Sequence, residues 1–100
     1  MKNERDRVAI SILLQTYGGL LTDRQREMTV MYYDCDVSFG EIGVQYGVSR
    51  QAVRDAVMKT EKILVVAEHK IGMIELKREI NRLAIEIGEK AKKIAELTEI

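Results

Sequence analysis

The stretch SFGEIGVQYGVSRQAVRDAVMKTEK, residues 38–62, predicts two helices joined by a tight turn. Ser38 and Ser49 can each cap the start of a helix, because their hydroxyls accept a backbone N–H of the first turn. Glu41 stands three residues after Ser38, so its side chain can bond back to the Ser38 backbone N–H and complete a capping box. Gly47 can take the left-handed conformation that ends the first helix. The stretch therefore predicts a helix-turn-helix.

The same stretch separates an apolar seam from a polar face. The seam between the two helices is predicted from Ile42, Tyr46, Val48, Val53 and Ala56, with Gly43 small where the helices cross. The first turn of a second helix of this kind meets base edges in a major groove. We therefore predict a nucleic-acid interface in which Arg50, Gln51 and Arg54 contact bases and Ser49, Lys59 and Lys62 contact phosphates. The alternative is an ordinary helical hairpin whose polar face is merely solvated.

Composition predicts one small, all-α domain. The 100 residues contain no proline, 46% are hydrophobic and 32% are charged, and so short a chain has a modest core that gains from a partner chain. One cysteine and one histidine exclude an internal disulfide framework and argue against a zinc site. No apolar run reaches membrane-spanning length, and the N-terminus MKNERDRV is too charged for a secretory signal. We expect a cytoplasmic protein that does not enter a membrane and needs no cofactor.

Net charge is zero, which is a point against DNA binding because phosphate neutralisation supplies most non-specific affinity. The charge is unevenly distributed, however. Residues 49–70 carry five basic and three acidic side chains, whereas residues 34–48 carry three acidic and no basic ones. We therefore expect weak non-specific binding with a strong dependence on salt.

Two further helices are predicted before this stretch. The first is capped by Asn3 and ends at Gly18 and Gly19 in a left-handed cap, and the second starts with a capping box between Thr22 and Gln25. The predicted buried side chains are Ala9, Ile10, Ile12, Leu13, Leu14, Thr16 and Tyr17 in the first helix and Met28, Met31 and Tyr32 in the second. The solvent face of the second helix carries Arg24 and Arg26, which are secondary candidates for nucleic-acid contacts.

A domain boundary is predicted at Gly72, which can stop a helix whose last turn contains His69 and Lys70. Residues 1–72 then form the helix-turn-helix domain, and residues 73–100 form a helix with heptad spacing. The predicted dimerisation residues are Met73, Leu76, Ile80, Leu83, Ile87 and Ile94, with Lys90 interrupting the seam. We expect a homodimer, parallel or antiparallel, whose reading helices lie about 34 Å apart if it reads a palindrome. The alternative is a long helix folded back on its own core.

Three segments together resemble the YlxM family of small bacterial helix-turn-helix proteins, and more distantly the promoter-reading fourth region of sigma factors. They are YGGLLTDRQRE at residues 17–27, MYYDCDVSFGEIG at residues 31–43 and GVSRQAVRD at residues 47–55. The resemblance implies an all-α, sigma region 4-like or winged-helix-like helix-turn-helix domain followed here by a long C-terminal helix. It also implies a link to the signal recognition particle pathway. The chain departs from the family in Arg54, where an aromatic residue is usual, and in Gly43, where alanine is usual.

These observations leave two functions open. The first is a dimeric regulator that binds double-stranded DNA and is linked to the signal recognition particle pathway. The second is an accessory protein that binds the particle's RNA or its GTPase subunit. An enzyme has little support, because Cys35 and His69 form a dyad only if they meet and no phosphate-binding loop is present. A divalent ion at Asp34 and Asp36 has too few ligands to be expected.

Overall fold

The computed structural model describes residues 3–98, which form five α-helices and one 3₁₀ turn. The helices are α1 (Glu4–Tyr17), α2 (Asp23–Tyr33), α3 (Phe39–Tyr46), α4 (Arg50–Ile71) and α5 (Met73–Thr98), and the 3₁₀ turn spans Gly18–Leu20. No strand occurs between residues 3 and 98, so the predicted all-α fold is confirmed and no β-wing accompanies the helix-turn-helix there. None of the described helices is both long enough and apolar enough to cross a membrane.

The helix starts follow the predicted caps with one exception. The capping box at Thr22 is confirmed, since the Gln25 N–H donates to Thr22 Oγ1 at 3.2 Å and the Thr22 N–H donates to Gln25 Oε1 at 3.0 Å. At Ser38 only half of the predicted box forms. The Glu41 N–H donates to Ser38 Oγ at 3.2 Å, but the Glu41 carboxylate accepts the Ser38 hydroxyl at 2.9 Å instead of a backbone N–H. A hydroxyl–carboxylate bond is charge-assisted, which favours this pairing.

The predicted left-handed end of α1 is wrong. Gly18 has φ −55° and ψ −27°, and the chain tightens into the 3₁₀ turn in which the Leu21 N–H donates to the Gly18 carbonyl at 3.1 Å. Gly18 is buried there, and the turn carries Leu21 into the core with only 8% of its surface exposed. The two glycines alone do not specify this 3₁₀ turn, which occurs together with the packing of Leu21 in the core.

The crossing of α3 and α4 depends on two glycines, as predicted. A Cβ on Gly43 would lie 2.6 Å from the Val48 carbonyl oxygen, so only glycine fits this close approach without a shift of the backbone. Gly47 has φ 68° and ψ 32°, the left-handed conformation, and the Val48 N–H donates to the Gly43 carbonyl at 2.9 Å. Ile42 and Val53 are fully buried in the seam between the two helices.

The core is built around α4, which packs on α1, α2 and α3. Val57 and Leu64 of α4 are almost completely buried. Thr29 and Thr60 are also fully buried, and their hydroxyls are satisfied by donating to the carbonyls of the residues four positions earlier, at 2.8 and 2.9 Å. Helix α1 is less buried than predicted: Ile10, Leu14 and Tyr17 are buried, Ile12, Leu13 and Thr16 are half-buried, and Ala9 is exposed.

Helix α5 extends away from this core. The molecule measures 71 × 25 × 22 Å along its principal axes, and no residue of α5 between Met73 and Thr98 is buried. Ile74 is half-buried against the core near the start of the helix. The alternative of a helix folded back on its own domain is therefore not the arrangement that this chain adopts.

Candidate nucleic-acid interface

The first turn of α4 is exposed and held in place by its cap. Ser49 Oγ accepts the Ala52 N–H at 3.0 Å, which leaves the hydroxyl proton of Ser49 free to donate to another group. Arg50 and Gln51 follow immediately, and both are exposed. The positive end of a helix dipole and two donor side chains therefore meet at one exposed point.

An acidic side chain lies next to these donors. Gln51 Nε2 donates to Asp55 Oδ1 at 2.9 Å, one turn further along the same exposed face. This bond orients the Gln51 amide and leaves its carbonyl oxygen free to accept. Asp55 also places a negative charge on the exposed face, which opposes a close phosphate and favours a ligand that offers a donor there.

Arg54 lies on a different flank of α4 from the lysines predicted to act with it. Its side chain borders a cavity of about 490 Å³ between α1, α4 and the aromatic side chains around the α2–α3 connection. Glu61 also borders this cavity, where it accepts the Tyr33 hydroxyl. Burial first, and that hydrogen bond second, raise the pKa of Tyr33 well above its usual range. Tyr33 therefore stays protonated as a donor. The cavity is lined by Asp6, Ala9, Ile10, Leu13, Tyr32, Tyr33, Phe39, Arg54, Met58, Glu61 and Val65.

Lys59 and Lys62 border an apolar trough on the other flank of α4, which we call the lysine-rimmed trough. Its volume is about 470 Å³, and its lining residues are Leu20, Lys59, Lys62, Ile63, Val66, Ala67, Lys70 and Ile71. At 100° per residue, Lys59 points about 140° away from Arg54 around the helix axis. The structure thus groups Ser49, Arg50 and Gln51 and separates Arg54 from Lys59.

The start of α2 lies beside the start of α4, which the sequence did not predict. Thr22 and Arg24 border a cleft of about 230 Å³ together with Ala52. The Arg24 guanidinium lies 5.2 Å from the centre of the Tyr46 ring and donates to the Tyr46 carbonyl at 3.4 Å. The Tyr46 hydroxyl donates to Glu27 at 2.7 Å, and this bond raises the pKa of Tyr46. Arg24 therefore joins the exposed face at the start of α4, whereas the sequence indicated only that it lies on the solvent face of α2.

The other secondary candidate, Arg26, is tied to its own helix. Its guanidinium pairs with Asp23 at 2.9 Å, on an exposed surface. An exposed pair of this kind contributes little to stability, so it would cost little to break. Arg26 borders none of the three cavities described above.

The predicted dimerisation residues form an exposed apolar stripe on α5, which we call the α5 seam. Its members, with their exposed fractions, are Met73 (38%), Leu76 (52%), Ile80 (56%), Leu83 (43%), Ile87 (68%) and Ile94 (62%). Leu97 extends the stripe with 71% exposure. Lys90 interrupts it and pairs with Glu86 at 3.4 Å, while Glu86 also pairs with Arg82 at 3.5 Å.

The joint between α4 and α5 is closed by side chains from two different helices. The Tyr17 hydroxyl donates to Glu68 Oε1 at 2.6 Å and accepts the Met73 N–H at 3.0 Å. Glu68 Oε1 also accepts the Ile74 N–H at 3.0 Å. The bond from Tyr17 first, and the backbone N–H groups next, hold the pKa of Glu68 below its usual value. Glu68 and Tyr17 therefore cap α5, because Gly72 has no side chain to do so.

Neither of the other chemical candidates is assembled. Cys35 is an exposed free thiol in the α2–α3 connection, and no hydrogen bond joins it to His69 in the part of the chain that is described. Among residues 3–98, no three His, Cys, Asp or Glu side chains lie together as a group able to hold a metal ion. Asp36 occupies a left-handed conformation with φ 57°, which Asp tolerates.

Comparison with known proteins places the chain in a family. Residues 4–100 match the UPF0122 family, whose members are described as helix-turn-helix proteins like YlxM and p13. A UPF0122 protein of Desulforamulus reducens is 38% identical over 78 residues, which are 78% of this chain and 67% of the relative. One of Clostridium kluyveri is 41% identical over 75 residues, 75% of this chain and 68% of the relative. One of Caldanaerobacter subterraneus is 40% identical over 86 residues, which are 86% of this chain and 74% of the relative. The chain therefore belongs to the UPF0122 family of YlxM-like helix-turn-helix proteins.

Proposed function

We propose that this protein is a regulator that binds double-stranded DNA through the first turn of α4. The observation that carries the proposal is the exposed, Ser49-capped helix start that presents Arg50 and Gln51, fixed by the close α3–α4 crossing at Gly43. In this role Arg50, Gln51 and Arg54 contact base edges, and the Ser49 hydroxyl donates to a phosphate.

The start of α2 contributes a second set of phosphate contacts in this proposal. Thr22 and Arg24, at the start of α2, border the same cleft as Ala52 of α4. Helix N-termini are common phosphate partners in protein–DNA complexes. Lys59 and Lys62 serve as more distant phosphate contacts, since the lysine-rimmed trough lies on the opposite flank from Arg54. With zero net charge, the affinity depends strongly on salt.

A homodimer formed through the α5 seam completes the proposal. One reading helix makes few phosphate contacts, so a second copy raises the affinity by effective concentration. The support is a stripe of six large apolar side chains, each at least 38% exposed, on a helix in which no residue from Met73 to Thr98 is buried. Binding to nucleic acid also implies a cytoplasmic protein.

The alternative function is an accessory protein of the signal recognition particle that binds its RNA or its GTPase subunit. Asp55 favours it, because an acidic side chain bonded to Gln51 near the start of α4 suits a protein or RNA donor better than a DNA phosphate. The pathway itself comes from the resemblance to the YlxM family. It applies equally to the DNA-binding regulator, whose target genes would then belong to that pathway.

The test is a competition between the two ligand classes. The full chain is used to select duplexes from a random-sequence pool, and fluorescence anisotropy then compares the selected duplex, the particle's RNA and its GTPase subunit across a salt series. Arg50→Ala should weaken selected-duplex binding by about 1–3 kcal/mol, with Arg5→Ala on the exposed part of α1 as the control. If no duplex is enriched, and the RNA or the GTPase subunit binds instead, the DNA proposal fails and the alternative replaces it.

A further inference from the structure

The α5 seam continues onto the helix-turn-helix domain as one apolar surface. Met73, the first seam residue, borders a cavity of about 280 Å³ together with Leu20 and Ile71, and both of these also line the lysine-rimmed trough. Leu20 is 61% exposed and Ile71 is 57% exposed. A partner that covers the seam from one end to the other therefore reaches this cavity with its last apolar side chain.

The two edges of the seam carry different side chains. Glu79, Glu86 and Lys93 repeat every seven residues along one edge, and Lys77, Ala84 and Ala91 repeat along the other. In a parallel pair of helices, a residue on the first edge faces the residue five positions later in sequence on the other edge of the second copy. Glu79 would then face Ala84 and Glu86 would face Ala91, so no ion pair would form across the seam. In addition, the two copies of Lys90 would meet inside it.

In an antiparallel pair, each edge of the seam faces the same edge of the second copy. This arrangement allows ion pairs across the seam and separates the two copies of Lys90. In the register that places Leu83 beside Ile87 of the second copy, Glu79 faces Lys93 of the second copy, and symmetry repeats this pair. Lys90 then faces Ile80 of the second copy instead of another lysine. The remaining layers pair Leu76 with Ile94 and Met73 with Leu97, so the whole seam is covered. The two copies of Glu86 approach each other, but each is already paired with Lys90 and Arg82 of its own chain, at 3.4 and 3.5 Å. Arg82 also pairs with Glu79 at 2.6 Å, so Glu79 would contact Lys93 of the second copy in addition to Arg82 of its own chain.

We propose that a second copy of this chain covers the α5 seam in the antiparallel orientation, with its Leu97 in the cavity beside Met73, Leu20 and Ile71. The pairing of Glu79 with Lys93 and the continuity of the seam with that cavity are the reasons for choosing this occupant. The inference rests on the dimer of the proposed function and adds its orientation; it does not depend on which ligand binds.

The orientation changes how the dimer meets its target. Helix α5 has 26 residues, so at a rise of 1.5 Å per residue it is about 39 Å long. The two helix-turn-helix domains then lie at opposite ends of the helix pair, further apart than one DNA turn of about 34 Å. This dimer does not read two adjacent half-sites one turn apart, as a palindrome reader would; it binds two more widely separated sites.

Disulfide trapping distinguishes the orientations without nucleic acid. In the full chain with Cys35→Ser, which removes the exposed thiol, Leu76→Cys and Ile94→Cys are made separately with tags of different mass. Each protein is oxidised alone, and the two are also mixed under reducing conditions and then oxidised. We expect a cross-linked heterodimer from the mixture and none from either protein alone. The matched control, Arg78→Cys mixed with Lys92→Cys, has the same register on the outer face of the helix and should not cross-link.

Charge exchange supplies a second readout that does not depend on oxidation. Glu79→Lys and Lys93→Glu should each raise the dissociation constant of the dimer by roughly 3- to 30-fold, and the double variant should restore it. Cross-linking of Leu76→Cys alone, or no change in either charge variant, would overturn the antiparallel pairing. No cross-link in any combination would overturn the second copy as the occupant. If the disulfide between the two variants forms efficiently but the protein binds no nucleic acid, the proposed function is wrong and the antiparallel dimer is still supported.

Discussion

Gly47→Val tests the turn on which the whole helix-turn-helix depends. Gly47 has φ 68°, and a Cβ added there would meet no atom within 4 Å. The substitution therefore creates no steric overlap with the surrounding structure, and its cost comes from holding a β-branched residue in a left-handed conformation. That cost is about 1–3 kcal/mol. We expect the free energy of unfolding to fall by this amount, less a few tenths regained because valine restricts the unfolded chain.

Thermal unfolding followed by circular dichroism measures the effect, since each kcal/mol corresponds to about 4–8 °C in a domain of this size. The matched control is Gly40→Val, which makes the same chemical change inside α3, where no positive φ and no neighbour within 4 Å opposes it. Valine is a slightly better helix former than glycine, so this control should melt at or above the parent temperature. Equal melting temperatures for the two variants would refute the left-handed turn at Gly47.

Three further changes test other parts of the structure. Gly43→Val should destabilise the fold by about 1–3 kcal/mol, measured by urea unfolding, because its Cβ would lie 2.6 Å from a backbone carbonyl oxygen; a parent-like midpoint would contradict the close crossing. Leu83→Glu should give a folded monomer by light scattering at micromolar concentration, since it buries an unpaired carboxylate in the dimer, while Ile85→Glu on the opposite face should stay dimeric; the reverse result would move the interface. The hydrogen bond from Tyr17 holds the pKa of Glu68 below its usual value of 4.5, so the contribution of Glu68 to stability is complete above that value and is lost as the pH falls through the folded pKa. The melting-temperature difference between the parent and Glu68→Gln should therefore be largest near pH 7 and vanish in acid, and a constant difference would argue against this cap.

The caps and stops could be predicted because their signals are local. Ser49 and its partner Ala52 are three residues apart, and Gly47 acts through its own backbone. The end of α1 was missed because two glycines permit both a left-handed cap and a 3₁₀ turn, and the burial of Leu21 decides between them. No pattern around Gly18 carries information about that contact.

In the candidate site, too, the local features were predictable from the sequence, and the contacts with other helices were not. The order of residues along α4 is enough to predict that Ser49, Arg50 and Gln51 share an exposed first turn. It is not enough to predict that Arg54 borders a cavity against α1 while Lys59 borders a trough against Leu20, because those neighbours are about 40 residues away in sequence. Arg24 was likewise undervalued, since its position depends on Tyr46, 22 residues later.

The joint between α4 and α5 links the fold to the proposed assembly. Gly72 has φ 67° and no side chain, so it permits the break between the helices but cannot by itself fix the direction of α5. Tyr17 and Glu68 supply what is missing: a hydroxyl from α1 and a carboxylate from α4 both bind the first backbone N–H groups of α5. The direction of α5 is therefore set by the helix-turn-helix domain itself. Because the proposed dimer forms through α5, the hydrogen bonds of Tyr17 and Glu68 to the Met73 and Ile74 N–H groups also set the distance and the angle between the two reading helices. Tyr17 itself borders the cavity that would hold Leu97 of the second copy, whereas Glu68 does not. A change at Glu68 should therefore alter the spacing of the sites that the dimer binds without removing a contact of either interface.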